Sequence, residues 1–579
     1  MRRTGLVVAV IVVAATVVAG VLVYRTKGDD AVPNRATDVM VWPTPHTLER
    51  VTEDVPIPAS VTIEGDVEAS TRQVVEKALA GGTGSAALKI RFSTDKGLSA
   101  EAYRITVGST EVSVASADPA GAFYAAQTLR QLVRQGKLAG VKIDDRPSLP
   151  QRGIVEGFYG RQWTYAEQQA QLDFAATVKF NSYVYAPKDD PFHRERWRDP
   201  YPEDRLAQIA ELAKRAAAGH VKFTYSLAPG LSMCYSKDAD RDAVQAKLTQ
   251  LHSAGIRSFA LLLDDIDYGK WNCQEDRDAY GPPNQENAAR AQNDLLNDTA
   301  LTVRNQLPDS GPLITVLTEY GDINQTPYKS VFRDNLDKSV VVMWTGTAVV
   351  PTTITKAHST RAEQLWGRKT LIWDNYPVAD FPDAKGRLLL GSYSGREPGL
   401  SVVGLLSNPM SQAYASRVAM FEMADYAWNV GMYDEDAAEL GYANLLAGGD
   451  EQVRTALLAF FDMSSWTAPR LAAELREFQD RWKAGDKKAA VADLRAYADV
   501  LAGAPKTIRE RVDKGFATDS EPWLAQTELY GRALQATADG LGGRRDGFTE
   551  SSELVKKLSK DLKLGDGTLD KFLTQAPRL

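Results

Sequence analysis

Short β-branched and apolar runs recur along the middle of this chain, and their recurrence limits the fold more than any other feature. They occupy 152–158, 180–187, 222–228, 258–263, 313–318, 340–344, 370–373 and 401–406. Runs this short and continuous suit strands covered on both faces, as in a parallel sheet. Helix-like stretches such as 165–178, 203–218 and 241–254 fill the gaps. Eight strands alternating with helices over roughly 280 residues match the number and size of a (β/α)8 TIM barrel, an α/β fold. A doubly wound open sheet is the alternative. It has fewer strands, and no glycine-rich nucleotide fingerprint follows the first run.

A chain of 579 residues is too long for one core, so flanking domains are expected. The division reads as 1–30, a signal peptide or N-terminal membrane anchor; 31–148, a small α/β domain; 149–433, the barrel; and 434–579, a helical bundle. In the small domain, strand-like runs fall at 60–63, 88–92, 102–107 and 111–114. A helix is expected over 119–135, with Asp118 as N-cap, Pro119 in its first turn and Phe123, Ala126, Leu129 and Leu132 at helical spacing. Gly81-Gly82-Thr83-Gly84 lacks the spacing and the Lys-Ser/Thr ending of a phosphate loop and reads as a turn. At the C-terminal end, Leu471, Leu475, Phe478 and Trp482 form one apolar stripe, and Leu554, Leu558 and Leu562 another. Both read as bundle core.

The net charge is −7 and no long Lys/Arg run occurs, which argues against a nucleic-acid partner. Arg2 and Arg3 precede an apolar stretch over residues 5–24. Twenty residues at ~1.5 Å each would just span a ~30 Å hydrocarbon layer. Export follows, either by a cleaved signal or with membrane association through residues 5–24, placing the protein outside the cell or on the outer face of the cytoplasmic membrane. The only cysteines, Cys234 and Cys273, fall on loops after the third and fourth runs, where a disulfide is expected in an oxidising compartment. Two free thiols are the plainer alternative. His46, His193, His220, His252 and His358 are scattered without zinc-ligand spacing, so no metal or cofactor is expected, and His193 reads as structural.

Barrel enzymes carry their chemistry at the carboxyl ends of the strands. Here the runs end in Glu156-Gly157-Phe158-Tyr159, Lys188-Asp189-Asp190, Asp264-Asp265-Ile266-Asp267, Glu319-Tyr320, Trp344-Thr345, Trp373-Asp374-Asn375 and Ser407-Asn408. One aspartate after a strand is often only the cap of the next helix. Caps do not also require Lys188, Tyr320, Asn375 and Asn408. Carboxylates, amides and aromatic rings together suit a sugar, whose hydroxyls need polar partners and whose faces pack on rings.

Three stretches, 152–160 (RGIVEGFYG), 185–191 (YAPKDDP) and 263–266 (LDDI), resemble signature segments of glycoside hydrolase family 84. So do Thr318-Glu319-Tyr320, Trp373-Asp374-Asn375 and Ser407-Asn408-Pro409. The resemblance covers about residues 40–430. It implies a β-N-acetylglucosaminidase acting on a GlcNAc-containing glycan or glycoprotein. Retaining hydrolysis would be assisted by the substrate's 2-acetamido group, through an oxazoline-type intermediate. In this scheme Asp264 polarises the acetamido group and Asp265 is the general acid/base. Tyr320 and Asn375 hold the acetamido group, and Trp373 walls the pocket. Gly157 lets backbone approach the sugar, Lys188, Asp380 and Asn408 grip ring hydroxyls, and Tyr159 and Val316 line the pocket. The alternatives are an endo-acting, hyaluronidase-type enzyme and an inactive carbohydrate-binding relative.

Overall fold

The computed structural model describes residues 39–85 and 87–579, and the recurring runs form a closed parallel barrel. Its strands are Gln151–Glu156, Ser182–Tyr185, Lys222–Leu227, Phe259–Leu262, Ile314–Val316, Val341–Trp344, Thr370–Asp374 and Val402–Ser407, each paired with the next. The last strand also pairs with the first, Leu405 opposite Arg152 and Ser407 opposite Ile154, so no edge is left exposed. Alternate residues point in and out. Val155, Val184, Leu262, Val316, Met343 and Leu371 fill the interior, while Ile154, Tyr183, Tyr185, Phe223 and Tyr225 face the helices. Burial on both sides is why these strands read as unbroken apolar runs.

Local chemistry starts the surrounding helices. Tyr165–Thr177 begins in a capping box: the Thr164 hydroxyl accepts from the Glu167 N–H at 3.2 Å, and the Glu167 carboxylate accepts from the Thr164 N–H at 2.6 Å. The long interval between strands four and five holds a loop, the short helix Gln274–Tyr280 and the long helix Gln285–Gln306. Cys234 and Cys273 are joined in a disulfide, with Cα atoms 5.7 Å apart, tying the loop after strand three to the loop after strand four.

Before the barrel stands a six-stranded mixed sheet, in spatial order Thr47–Arg50, Val141–Asp145, Tyr103–Val107, Glu111–Ser116, Leu88–Thr94 and Val61–Glu64. The first two strands gave no signal in the sequence, because both are short and rich in charge. The helix expected over 119–135 ends at Leu132. Gln135 and Gly136 take left-handed φ of 49° and 74°, making a turn between the short strands Val133–Arg134 and Lys137–Leu138. After the barrel come helices including Pro469–Lys483, Lys487–Arg511, Lys514–Leu541 and Gly547–Val555. Leu471, Leu475 and Phe478 are buried on one of them, with Trp482 partly so. Leu558 and Leu562 lie beyond the end of helix Gly547–Val555, yet both still pack on the core with Leu554. The apolar stretch over residues 5–24 lies outside the described residues. Among the described residues, no helix is long and apolar enough to cross a membrane.

A buried polar knot joins the small sheet to the floor of the barrel. The Lys179 ammonium donates to the Tyr103 hydroxyl at 2.7 Å and to Asp145 at 3.3 Å, and lies 4.4 Å from the centre of the Trp428 ring. Burial works to raise the Asp145 carboxyl. Lys179, His46, Tyr103 and Trp428 outweigh it and hold the group below the ordinary aspartate range. A carboxylate depressed in the folded state contributes stability above its unfolded pKa and loses it as pH falls. Lys179→Met leaves Asp145 buried without its cation and should cost roughly 3–5 kcal/mol in urea titrations near neutrality. The difference from wild type should narrow as pH falls through about 3.9 and below. A cost under about 1 kcal/mol at neutral pH would class the pair with exposed ion pairs and dismiss it as a tie between the domains.

Candidate active site

The carboxyl ends of the strands open on one rim, and their side chains meet around a space of about 500 Å³. It is lined by Gly157, Tyr159, Lys188, Asp264, Asp265, Val316, Tyr320, Trp373, Asn375, Asp380 and Asn408. Every residue singled out above for substrate contact is therefore drawn into one pocket, from loops after strands one, two, four, five, seven and eight and, for Val316 and Trp373, from strands five and seven themselves. Thr345, Val349, Val350, Val378 and Phe381 line it as well. Apart from Thr345, quoted above at a strand end, these escaped notice, because a loop valine or phenylalanine carries no polar or periodic signal.

The adjacent aspartates occupy different environments. Asp264 is largely buried and takes the Lys188 ammonium at 2.8 Å. Burial pushes its carboxyl up, but the charge and hydrogen bond of Lys188 prevail and hold it below the usual aspartate range. Asp265 adopts φ of 53°, a left-handed conformation that aspartate tolerates better than most residues. Such strain is sustained where surrounding structure enforces it, and it gathers at functional sites. Its carboxylate is exposed and accepts from the Tyr159 hydroxyl at 2.6 Å and the Tyr320 hydroxyl at 2.8 Å. Burial, then the neighbouring Asp265 charge, pushes both phenols well above the ordinary tyrosine range, so both stay protonated donors.

The far wall is held by a ladder of amides. The Trp373 indole N–H donates to Asn375 Oδ1 at 2.9 Å, and Asn408 Nδ2 donates to the same oxygen at 2.8 Å. Asn375 Nδ2 donates to the Val349 carbonyl at 2.7 Å, while Asn408 Oδ1 accepts from the Gly157 N–H at 3.2 Å. Each amide nitrogen keeps a second hydrogen for another acceptor. Gly157 is required here, because a Cβ would come within 2.2 Å of the Trp373 ring. Asp380 accepts from the Tyr159 N–H at 2.7 Å, and burial keeps its carboxyl above the usual range despite that bond.

Other carboxylates near the strand ends serve the scaffold. Glu156 is fully buried, accepting from Tyr183, Gln168 and the Trp163 N–H, and burial pushes it up to about 7. Glu319 accepts from Lys329 at 3.0 Å, and Asp374 is held by Arg396 and by the Tyr393 hydroxyl. His193 is buried, with Nδ1 2.7 Å from the Ser226 carbonyl, and burial pushes it down to about 4, so it is neutral in ordinary conditions. Among the described residues, Cys234, Cys273 and Glu275 are close enough to share an ion, but the two sulfurs are bonded to each other.

A family model described as beta-N-acetylglucosaminidase matches residues 152–462, and one described as glycosyl hydrolase family 20, domain 2, matches 38–146. The Protein O-GlcNAcase of Rattus norvegicus is 28% identical over 419 residues, 69% of this chain and 43% of the relative. That of Mus musculus is 32% identical over 282 residues, 47% of this chain and 29% of the relative. The chain thus spans less than half the length of these relatives. Among solved structures, CpGH84B superposes with a TM-score of 0.81 at 25% identity, covering 93% of this chain and 100% of that one. A mutant O-GlcNAc hydrolase of Thermobaculum terrenum gives a TM-score of 0.67 at 26% identity, covering 74% of this chain and 95% of that one.

Lys188→Met removes the cation that holds Asp264 down. An opposite charge this close is worth about 1–3 pKa units. The acid limb of the pH–activity profile should move up by about that amount, and an unmoved limb would show that Asp264 owes its ionisation to other groups.

Proposed function

The chain belongs to the β-N-acetylglucosaminidase family, glycoside hydrolase family 84, and on that footing we propose that it is a retaining exo-β-N-acetylglucosaminidase working through the substrate's own acetamido group. One observation carries the reading: neighbouring aspartates of the same rim are divided between an ammonium and two phenols. A reaction in which the substrate supplies the nucleophile needs that division. Asp264, kept ionised by Lys188, accepts the acetamido N–H and directs the carbonyl oxygen at the anomeric carbon. The new C–O bond forms as the glycosidic bond breaks, giving an oxazoline-type intermediate. Asp265 protonates the departing oxygen, then takes a proton from the water that opens the intermediate.

In this reading Tyr320 turns its hydroxyl from Asp265 to the acetamido oxygen, and the free amide hydrogen of Asn375 serves the same group. Lys188, Asp380 and Asn408 grip ring hydroxyls against the Trp373 wall. Exo action is favoured by the grip of Asp380 and Asn408, which would clamp the hydroxyls of a terminal sugar. The substrate class is a glycan or glycoprotein ending in β-linked N-acetylglucosamine. We also place the enzyme outside the cytoplasm. The basic start followed by the apolar stretch over residues 5–24 and the Cys234–Cys273 pair both favour that compartment.

Asp265→Asn should reduce hydrolysis of N-acetylglucosaminides with poor leaving groups by about 10²–10⁴-fold, and spare activated aryl glycosides much more. Equal losses on both would remove the acid role. Asp264→Asn should slow intermediate formation whatever the leaving group, and a normal rate in that variant would sink the assisted mechanism. Release of GlcNAc from chain ends, against shortening of internal hyaluronan, decides between exo and endo action.

A further inference from the structure

Beside the catalytic pocket lies a second and larger space, of about 720 Å³, between the loops that follow barrel strands three and four. Asp265 is the one residue common to the linings of both. Asp265 thus lies on the boundary between the two spaces.

Its walls are aromatic and amphipathic. Leu231 is 53% exposed at the mouth, with Tyr268 and Trp271 half-buried beside it. Deeper in, Tyr235 is only 4% exposed, with its ring edge-on to that of Trp271 at 6.4 Å between centres.

The cavity is also preformed. The Cys234–Cys273 disulfide joins its two loops, and Asn272 Nδ2 donates to the carbonyls of Gly230 at 3.1 Å and Met233 at 3.0 Å. Buried Asp276 accepts from the N–H groups of Tyr235 at 3.0 Å and Ser236 at 2.7 Å. Ile266 packs so tightly on Gly230 that a Cβ there would lie 2.0 Å from its Cδ1. A site held open in this way spends little ordering free energy on binding. Charge narrows the ligand: Asp265 and Asp267 outnumber Lys270 in the lining, which disfavours an anion. Aromatic rings in the lining suit the face of a neutral sugar.

We infer that this cavity is a leaving-group subsite for a neutral or N-acetylated hexopyranose, so that the enzyme releases N-acetylglucosamine from a preceding sugar of a glycan. The inference rests on the reading of Asp265 as proton donor.

The test compares kcat/KM on N,N′-diacetylchitobiose with that on N-acetyl-β-glucosaminyl fluoride, whose leaving group reaches no second site. In wild type the disaccharide should also be preferred over the Ser-linked glycopeptide, and β-GlcNAc-(1→4)-glucose over its glucuronic acid counterpart. The chitobiose-to-fluoride ratio should fall about tenfold in Trp271→Ala and about threefold in Leu231→Ala, chiefly through KM on the disaccharide. The second variant disturbs little, since it only trims an exposed side chain. Unchanged ratios, or equal losses on both substrates, would overturn the subsite, as would preference for the glycopeptide. Preference for the uronic acid would overturn its neutral class. Failure of wild type to hydrolyse the fluoride would instead refute the proposed function itself.

Discussion

Closure of a parallel sheet on itself is the constraint from which the site follows. Because all eight strands run the same way, their carboxyl ends reach one rim however far apart they lie in the chain. The Gly157 N–H meets Asn408 across 251 positions, and the Tyr159 N–H meets Asp380 across 221. The first bond joins loops after the first and last strands, which are hydrogen-bonded neighbours, and the second reaches the loop after strand seven, which lies beside the last. An open sheet of the same strands would leave the two ends of this pocket at opposite edges.

Within that rim, electrostatics separates two groups that covalent adjacency would make equivalent. Some buried carboxylates elsewhere in the fold are matched by cations, Asp145 by Lys179, Glu319 by Lys329 and Asp374 by Arg396, while others such as Glu156 and Asp276 take only neutral donors. Asp264 belongs with the first group, through Lys188. Asp265 is exposed at the rim, and its hydrogen-bond donors are two neutral phenols. A carboxylate fixed by an ammonium resists protonation. The left-handed backbone at Asp265 turns the second carboxylate away from the first.

The flanking domains hold the rim from below and from the side. Lys179 anchors the N-terminal sheet to the barrel floor. On the other flank, the Trp523 indole N–H donates to the Gly386 carbonyl at 2.9 Å, and Arg387 donates to the Gly565 carbonyl at 2.7 Å. Asp519 accepts from the Tyr414 N–H at 2.6 Å. The helical domain thus clamps the loops after strands seven and eight, which carry Asp380 and Asn408. The disulfide does the same for the loops after strands three and four.

Strand number, the order of the polar strand ends and the pair Asp264-Asp265 were legible in the sequence. Parallel strands buried on both faces must be apolar throughout, and catalytic groups must follow them. Charged edge strands such as Thr47–Arg50 were not legible, since their pairing depends on a partner some 97 positions away. Nor was the end of the helix at Leu132, decided by a hairpin that needs its own partner strand. Composition along the chain could name the two aspartates but not tell them apart. Which one faces an ammonium, which one faces two tyrosines, and that Val349, Phe381 and a second cavity adjoin them, only the tertiary structure decided. Those are properties of distance between loops, and distance between loops is set by closure of the barrel.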